Sequence, residues 1–155
     1  MEIVDKSFPA AAAVACVSRA PNVQFASTWK ALHQTLGAGA RSAVRPEFFA
    51  AFVASDLTGP ASMEWYAAAA ATDGHPSVAA PLEGLALPGG RYATFVHRGP
   101  YDGMGAAWGR FVAGLARSDR ALDLSRPCLE RYLNDPSTTA PDALETELCV
   151  PISAT

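Results

Sequence analysis

The sequence predicts an α+β fold made of two βαββ units, and three observations lead to it. Sliding the chain by 79 residues aligns residues 3–21 with 82–100 and brings Trp29 onto Trp108. Each copy then contains one segment with the apolar spacing of a helix and three segments with strand character. Because open sheet edges expose unpaired backbone groups, we expect the two units to dock about a pseudo-twofold axis. The seam between them is the natural place for a ligand groove.

The repeat also sets the domain organisation. Two extra residues enter the second copy, and the offset becomes 81, which aligns Glu64 with Glu145. A polar segment containing Gly and Pro separates the copies. We therefore predict one domain over residues 1–155, with the first repeat at about 3–71, a linker at 72–81 and the second repeat at about 82–153.

The elements of the second copy are the clearest. Residues 92–98 are rich in β-branched and aromatic residues, which predicts a strand. A helix is predicted from Asp102, its expected N-cap, to Ser118, and strands are predicted at 127–134 and 143–150. One apolar face of the helix is formed by Met104, Trp108, Phe111 and Leu115.

The first copy is predicted to hold a helix at 26–37 and strands at 46–54 and 62–71. Glycines in the second-copy helix each weaken it by roughly 0.5–1 kcal/mol relative to Ala, and we expect them to let the helix approach the sheet closely. These glycines are Gly103, Gly105, Gly109 and Gly114.

Composition excludes several classes of function. The formal net charge is −3 and the basic residues are scattered, so we expect neither direct nucleic-acid binding nor a membrane partner. Three cysteines without a CxxC motif favour a reducing cytoplasm and free, buried thiols. The three histidines lack metal-ligand spacing, so no metal site is expected.

The strand within residues 126–136 contains an acid in an unusual place. Glu130 lies mid-strand between Leu129 and Tyr132. If its face of the sheet is covered, burial costs several kcal/mol unless the carboxylate finds a partner or takes up a proton. The alternative is an edge strand on which Glu130 pairs with a surface base. At the offset of 81 its counterpart is the apolar Phe49, and an acid found in one copy only favours a functional role.

Aromatic residues differ between the copies in the same way. Trp65 and Tyr66 align with Thr146 and Glu147, and Tyr101 lies between strand and helix at the mouth of the predicted groove. Aromatic rings opposite an acid suit a planar, apolar ligand with a positive charge. Core filling by Trp65 and Tyr66, and capping of a turn by Tyr101, remain open. The predicted ligand-binding set is Glu130, Tyr132, Tyr101, Trp65, Tyr66, Phe49, Trp108 and Glu147.

Two stretches carry a family resemblance. YATFVHRGPYDGM (92–104) and RPCLERYLNDPSTTAPDALETELCVPI (126–152) resemble the second half of the GyrI-like proteins, whose effector-binding domain is shared with AraC- and MerR-type regulators. The resemblance implies a tandem βαββ fold of the SHS2 type with a groove between the repeats. It also implies that Glu130 is the pocket acid that faces cationic, aromatic compounds. No helix-turn-helix segment is recognised beside the domain, so direct control of transcription is not expected.

Three functions fit these features. The first is binding of amphipathic, cationic aromatic small molecules for sequestration or sensing. The second, implied by some stand-alone members of the family, is hydrolysis of strained cyclopropane-bearing toxins with Glu130 as general base. The third is inhibition of a protein partner such as a topoisomerase. No cofactor is expected for any of them.

Overall fold

The computed structural model describes residues 2–37, 44–74 and 77–154. Over these residues the chain forms eight strands and two helices. In chain order they are β1 (Val4–Phe8), β2 (Ala11–Arg19), α1 (Ala26–Gly37), β3 (Val44–Ala54), β4 (Met63–Thr72), β5 (Glu83–Leu87), β6 (Gly90–Arg98), α2 (Met104–Ala116), β7 (Cys128–Tyr132) and β8 (Glu145–Pro151).

The strands form one antiparallel sheet, which confirms the predicted α+β class. Their order is β1-β6-β8-β7-β3-β4-β2-β5, and it reads the same from either end once the two halves are exchanged. The central pair, β3 and β7, joins the halves. The tandem βαββ arrangement about a pseudo-twofold is therefore visible in the strand order, while the repeat boundaries themselves stay a prediction.

Two strands were not predicted, and they cross between the halves. The first-half strand β1 pairs with β6 of the second half, and β5 of the second half pairs with β2 of the first. Each half thus covers an edge strand of the other, which leaves fewer unpaired backbone groups.

Two predicted boundaries change for identifiable local reasons. The helix α2 begins at Met104 because Tyr101–Gly103 forms a 3-10 turn, so Asp102 lies inside that turn and is not an N-cap. The strand β7 ends before Asn134, whose amide donates to the Ala143 carbonyl at 3.1 Å and whose Oδ1 accepts from the Glu145 N–H at 3.0 Å. The α1 helix has its predicted bounds.

The sheet is covered differently on its two faces. Both helices pack on one face, where Phe111 and Leu32 are fully buried. The other, helix-free face is rich in Ala: Ala51, Ala67 and Ala69 are fully buried there. Side chains this small allow the sheet to curl, so that larger residues of the same face cover them. The three cysteines are free and buried, as predicted.

The pairing of the strands corrects the alignment of the repeats by one residue. The paired residues Phe52 and Tyr66 correspond to the pair Tyr132 and Thr146, which is an offset of 80 rather than 81. The β3–β4 ladder shifts register just before Ala54. The 3-10 turns that lead into β4 and β8, Pro60–Ser62 and Pro141–Ala143, keep the offset of 81. The β3–β4 ladder also shifts register between Val44 and Phe48, so two irregularities in this copy displaced the sequence alignment of the strands.

This correction changes the counterpart of Glu130. It is Ala50, which is also the residue directly paired with Glu130 across the seam. Phe49 points to the helix-free face and is not equivalent to Glu130. Because Ala50 and Glu130 are both paired and equivalent, the pseudo-twofold axis passes between them.

Among the described residues, no helix is long and apolar enough to cross a membrane.

Candidate functional site

A cavity of about 1330 Å³ lies between the two helices on the helix-covered face of the seam. It exceeds the roughly 300–1,000 Å³ typical of small-molecule sites. Its walls come from α1, α2 and the central strands, and its lining is mostly aromatic and apolar. The residues that carry the argument below are Trp29, Phe52, Tyr66, Trp108, Glu130 and Tyr132.

Glu130 lies at the centre of the cavity and is hydrogen-bonded on both oxygens. The Trp108 indole N–H donates to Oε2 at 2.6 Å, and the Tyr132 hydroxyl donates to Oε1 at 3.0 Å. Both donors are neutral, so the hydrogen bonds orient the carboxylate without neutralising it. The arrangement presents a negative charge to the cavity, framed by two aromatic rings.

Burial shapes the titration of this cluster. It raises the pKa of Glu130 above its ordinary value, and the hydrogen bonds from Trp108 and Tyr132 offset part of the rise. Burial also raises the pKa of Tyr66 to about 12, with a further rise from the charge of Glu130. Tyr132 shifts in the same direction for the same two causes. Both phenols therefore stay protonated at neutral pH, and the Tyr132 hydroxyl donates to Glu130.

The aromatic walls follow the pseudo-twofold. The ring of Trp29 meets Tyr132 edge-on with centroids 5.5 Å apart, and Trp108 meets Phe52 in the same way, also at 5.5 Å. These two pairs exchange under the axis, since Trp29 corresponds to Trp108 and Phe52 to Tyr132. The repeated packing explains why both tryptophans recur in the sequence.

The indole N–H groups, in contrast, have different acceptors in the two halves. Trp29 donates to the Tyr66 hydroxyl at 2.8 Å, whereas Trp108 donates to the carboxylate of Glu130. The symmetric scaffold therefore supports one acid rather than two. A second acid at position 50, directly paired with Glu130, would repel it.

Glycines keep one wall of the cavity open. Gly105 and Gly109 line it from α2, and a Cβ added at either position would meet nothing within 4 Å. The expected role of these two glycines, close approach of helix and sheet, is therefore wrong. They remove side chains that would otherwise project into the cavity.

The structure brings together five of the eight residues predicted for the site. Glu130, Tyr132, Tyr101, Tyr66 and Trp108 all line the cavity. The ring of Tyr101 packs on Tyr132 with centroids 5.6 Å apart. Whether each contacts a ligand stays a prediction.

The other three residues, Phe49, Trp65 and Glu147, lie on the helix-free face and do not line the cavity. Phe49 and Trp65 belong to the apolar cluster of that face. Glu147 is 1% exposed and forms ion pairs with Lys6 Nζ, at 2.5 Å, and with Arg131. Neighbouring residues of a strand alternate faces, so a shift of one position moves each of these residues to the opposite face.

Several cavity residues were not predicted as site residues. Trp29 was treated as a core anchor, and Phe52 as one of many apolar strand residues. The signal that would have found them is the repeat itself, because Trp29 corresponds to Trp108 and Phe52 to Tyr132. Further lining residues are Phe25, His33, Phe48, Met104 and Leu133. In the part of the chain that the structure describes, no group of three or more His, Cys, Asp or Glu residues could hold a metal ion.

The fold and cavity are those of a small-molecule-binding domain, and the chain belongs to the GyrI-like family. A family model for the GyrI-like small molecule binding domain matches residues 51–153. A search of curated protein sequences gives no significant match.

Solved structures share this fold across nearly the whole chain. The EcmrR C-terminal domain has a TM-score of 0.77 at 15% identity, covering 99% of this chain and 98% of that one. SAV2435, bound to tetraphenylphosphonium, has a TM-score of 0.74 at 14% identity, with coverage of 99% and 95%. A hydrolase encoded by lin2189 from Listeria innocua has a TM-score of 0.56 at 14% identity, with coverage of 98% and 92%.

Proposed function

We propose that this protein binds amphipathic aromatic cations in the cavity at the seam, as a means of sequestering or sensing them. The observation that carries the proposal is the environment of Glu130: a partly buried carboxylate whose two hydrogen-bond partners, Trp108 and Tyr132, are both neutral. A bound cation would supply the countercharge that the protein does not place there.

The rest of the cavity favours the same ligand class. Among the residues that the structure describes, no Lys or Arg lines the cavity, while Glu47, Asp56 and Asp135 do. Aromatic faces attract cations through the ring quadrupole, and the tryptophan and tyrosine rings lie next to the acid. The solved structure of SAV2435 with tetraphenylphosphonium supports this ligand class for the fold.

Calorimetric titration with a matched pair of ligands tests the proposal. Tetraphenylphosphonium is the cation and triphenylphosphine oxide the neutral analogue. Glu130→Gln keeps the shape of the side chain and removes its charge, so binding of the cation is expected to weaken by about 1.5–3 kcal/mol, the Coulomb attraction of unit charges roughly 6–11 Å apart at an effective dielectric constant of about 20. Binding of the neutral compound is expected to change much less.

Glu83→Gln serves as the control for loss of an acid. Glu83 lies on β5, where its carboxylate binds Arg19 at 2.7 Å, and it does not line the cavity. We expect this variant to bind both compounds with unchanged affinity. Equal affinity of the wild-type protein and Glu130→Gln for the cation would show that Glu130 does not form the cation site.

A second candidate is hydrolysis of a strained, electrophilic ring. The raised pKa of Glu130 favours it, because a carboxylate of that kind is a workable general base. Glu130 would accept a proton from water while the water oxygen bonds to a ring carbon and a strained ring bond breaks. The electron pair of that bond would pass to a conjugated carbonyl of the compound, and the resulting enolate would take up a proton from solvent. Incubation with cyclopropane-bearing alkylating compounds, followed by mass spectrometry, tests this candidate. Addition of one water in the wild-type protein but not in Glu130→Gln would support it, and an unchanged substrate mass would exclude it for those compounds.

A further inference from the structure

A second acid is held at one end of the cavity. Asp135 follows β7, and its Oδ1 accepts from the backbone N–H and the hydroxyl of Ser137, at 2.8 and 2.7 Å. In the described part of the chain, no hydrogen bond to its other oxygen is seen. The hydrogen bonds from Ser137 lower the pKa of Asp135, so the carboxylate stays ionised. The turn fixes a negative charge at the cavity mouth.

Aromatic rings connect this acid to Glu130. Tyr132 donates to Glu130, and the ring of Tyr101 packs on Tyr132 with an interplanar angle of 65°. Asp135 lies three residues after Tyr132 and lines the same cavity as Tyr101. In agreement with this placement, burial raises the pKa of Tyr101 and the charge of Asp135 raises it further. Tyr101 is 39% exposed and Leu133 is 47% exposed, so both offer apolar surface at the mouth. The cavity therefore has a path of aromatic rings with an acid at each end.

We propose that Tyr101 and Asp135 form a second cation subsite, and that the ligands bound most tightly are elongated dications. One positive group lies before Glu130, the other lies against Tyr101 beside Asp135, and an apolar spacer joins them along Tyr132 and Leu133. This inference rests on the proposed function, since it extends the ligand of the same cavity. The cavity volume, larger than a single aromatic cation requires, is consistent with a ligand of this length.

The chain limits the distance between the two charges. Positions 130 and 135 are five residues apart, so an extended strand would separate them by at most about 16 Å. A flexible spacer is most effective when its length matches that span, and a shorter one cannot reach both acids.

The opposite end of the cavity offers a matched comparison. Asp56 lines the cavity there and forms the same turn, with its Oδ1 accepting from the N–H and hydroxyl of Thr58 at 2.9 and 2.5 Å. The counterpart of Tyr101 at that end is Asn22, which does not line the cavity. Asp56 thus has the charge and the turn of Asp135 but no tyrosine at the position equivalent to Tyr101.

The test compares alkanes that carry a trimethylammonium group at both ends with alkyltrimethylammonium ions of the same chain length. Spacers of roughly six to twelve methylenes cover the span set by the chain. We expect the dication of best length to bind about 5- to 30-fold more tightly than its monocation, the gain from one exposed ion pair plus one cation–π contact. Asp135→Asn retains a residue that forms the same turn. It is expected to reduce the gain by about two- to fivefold, the share of the ion pair, while Asp56→Asn leaves the gain unchanged.

The outcomes separate this inference from the proposed function. If the monocations bind in a way that depends on Glu130 and the dications gain nothing, the second subsite is wrong and the proposed function stands. Loss of the gain in Asp56→Asn rather than Asp135→Asn would also overturn it. If neither cation binds the wild-type protein, the second subsite is overturned, while binding of tetraphenylphosphonium decides the proposed function separately.

Discussion

Glu130 occupies one of two symmetry-equivalent positions, and the other position holds an alanine, Ala50. Glu130 faces Ala50 across the axis, so only one of these two equivalent positions carries a carboxylate, and its hydrogen-bond donors Trp108 and Tyr132 add no positive charge. At the scale of residues, the site is therefore an unpaired acid held in an aromatic frame. The two tryptophans provide the means to test this, because they are equivalent in packing and differ in acceptor.

Removal of one indole N–H should shift the titration of Glu130, and removal of the other should not. Trp108→Phe deletes a hydrogen bond to the ionised carboxylate, so the pKa of Glu130 is expected to rise by roughly one to two pH units. Trp29→Phe deletes the equivalent N–H, which is donated to Tyr66, and is expected to leave that pKa nearly unchanged. Carbon-detected NMR of the side-chain carboxyl measures both. Equal shifts in the two variants would contradict the assigned hydrogen bonds.

The sequence identified Glu130, Tyr132 and Tyr101 because the asymmetry between the copies was large there. It also placed Phe49, Trp65 and Glu147 in the site, and this was wrong because the irregular β3–β4 ladder changes the offset between the repeats by one residue. A strand alternates its side chains between faces, so one residue of error moves a whole set to the wrong side. No local pattern in the sequence marks that irregularity.

At the scale of elements, two glycines make the helix α2 less stable and leave the cavity larger. Gly105 and Gly109 lower its helix propensity, and no neighbour requires them to be small. The sequence showed that α2 contains glycines but not that they face the cavity. The apolar face of α2 could be predicted from the sequence, whereas the distance between α2 and α1 depends on tertiary packing. The exchange of β1 and β5 was missed similarly, since short strands that pair across 68 to 90 residues leave no local signal.

Two substitutions at Gly109 should separate stability from binding. Gly109→Ala is expected to raise the free energy of unfolding by about 0.5–1 kcal/mol, because the added methyl favours the helix and meets open space. Gly109→Leu should also favour the helix, but it places a larger side chain in the cavity and should weaken binding of tetraphenylphosphonium at least tenfold more than Gly109→Ala does. Urea unfolding and calorimetric titration measure the two effects. Cation affinity that is the same in both variants would show that the ligand does not approach this wall.

At the scale of the whole molecule, the pseudo-twofold determines where a ligand can bind. It brings the two helices and the central strands together around one cavity, with Glu130 beside the axis. The repeat was predicted from the sequence, and with it the fold class and the seam as the site of the groove. The cavity's size, and the identity of its walls on α1, required the structure.

The central claim, that an ionised Glu130 binds the charge of an aromatic cation, is tested most directly by the pH dependence of tetraphenylphosphonium binding. Because the pKa of Glu130 is raised, the carboxyl is protonated below that pKa and ionised above it. Cation affinity should therefore rise as the pH increases through the pKa and then level off, and binding below the pKa should release a proton. The other side chains of the cavity are the same in Glu130→Gln, so the difference between the two proteins belongs to Glu130. The account predicts a pH-dependent difference in affinity that grows to at least tenfold, and identical pH profiles for the two proteins would contradict it.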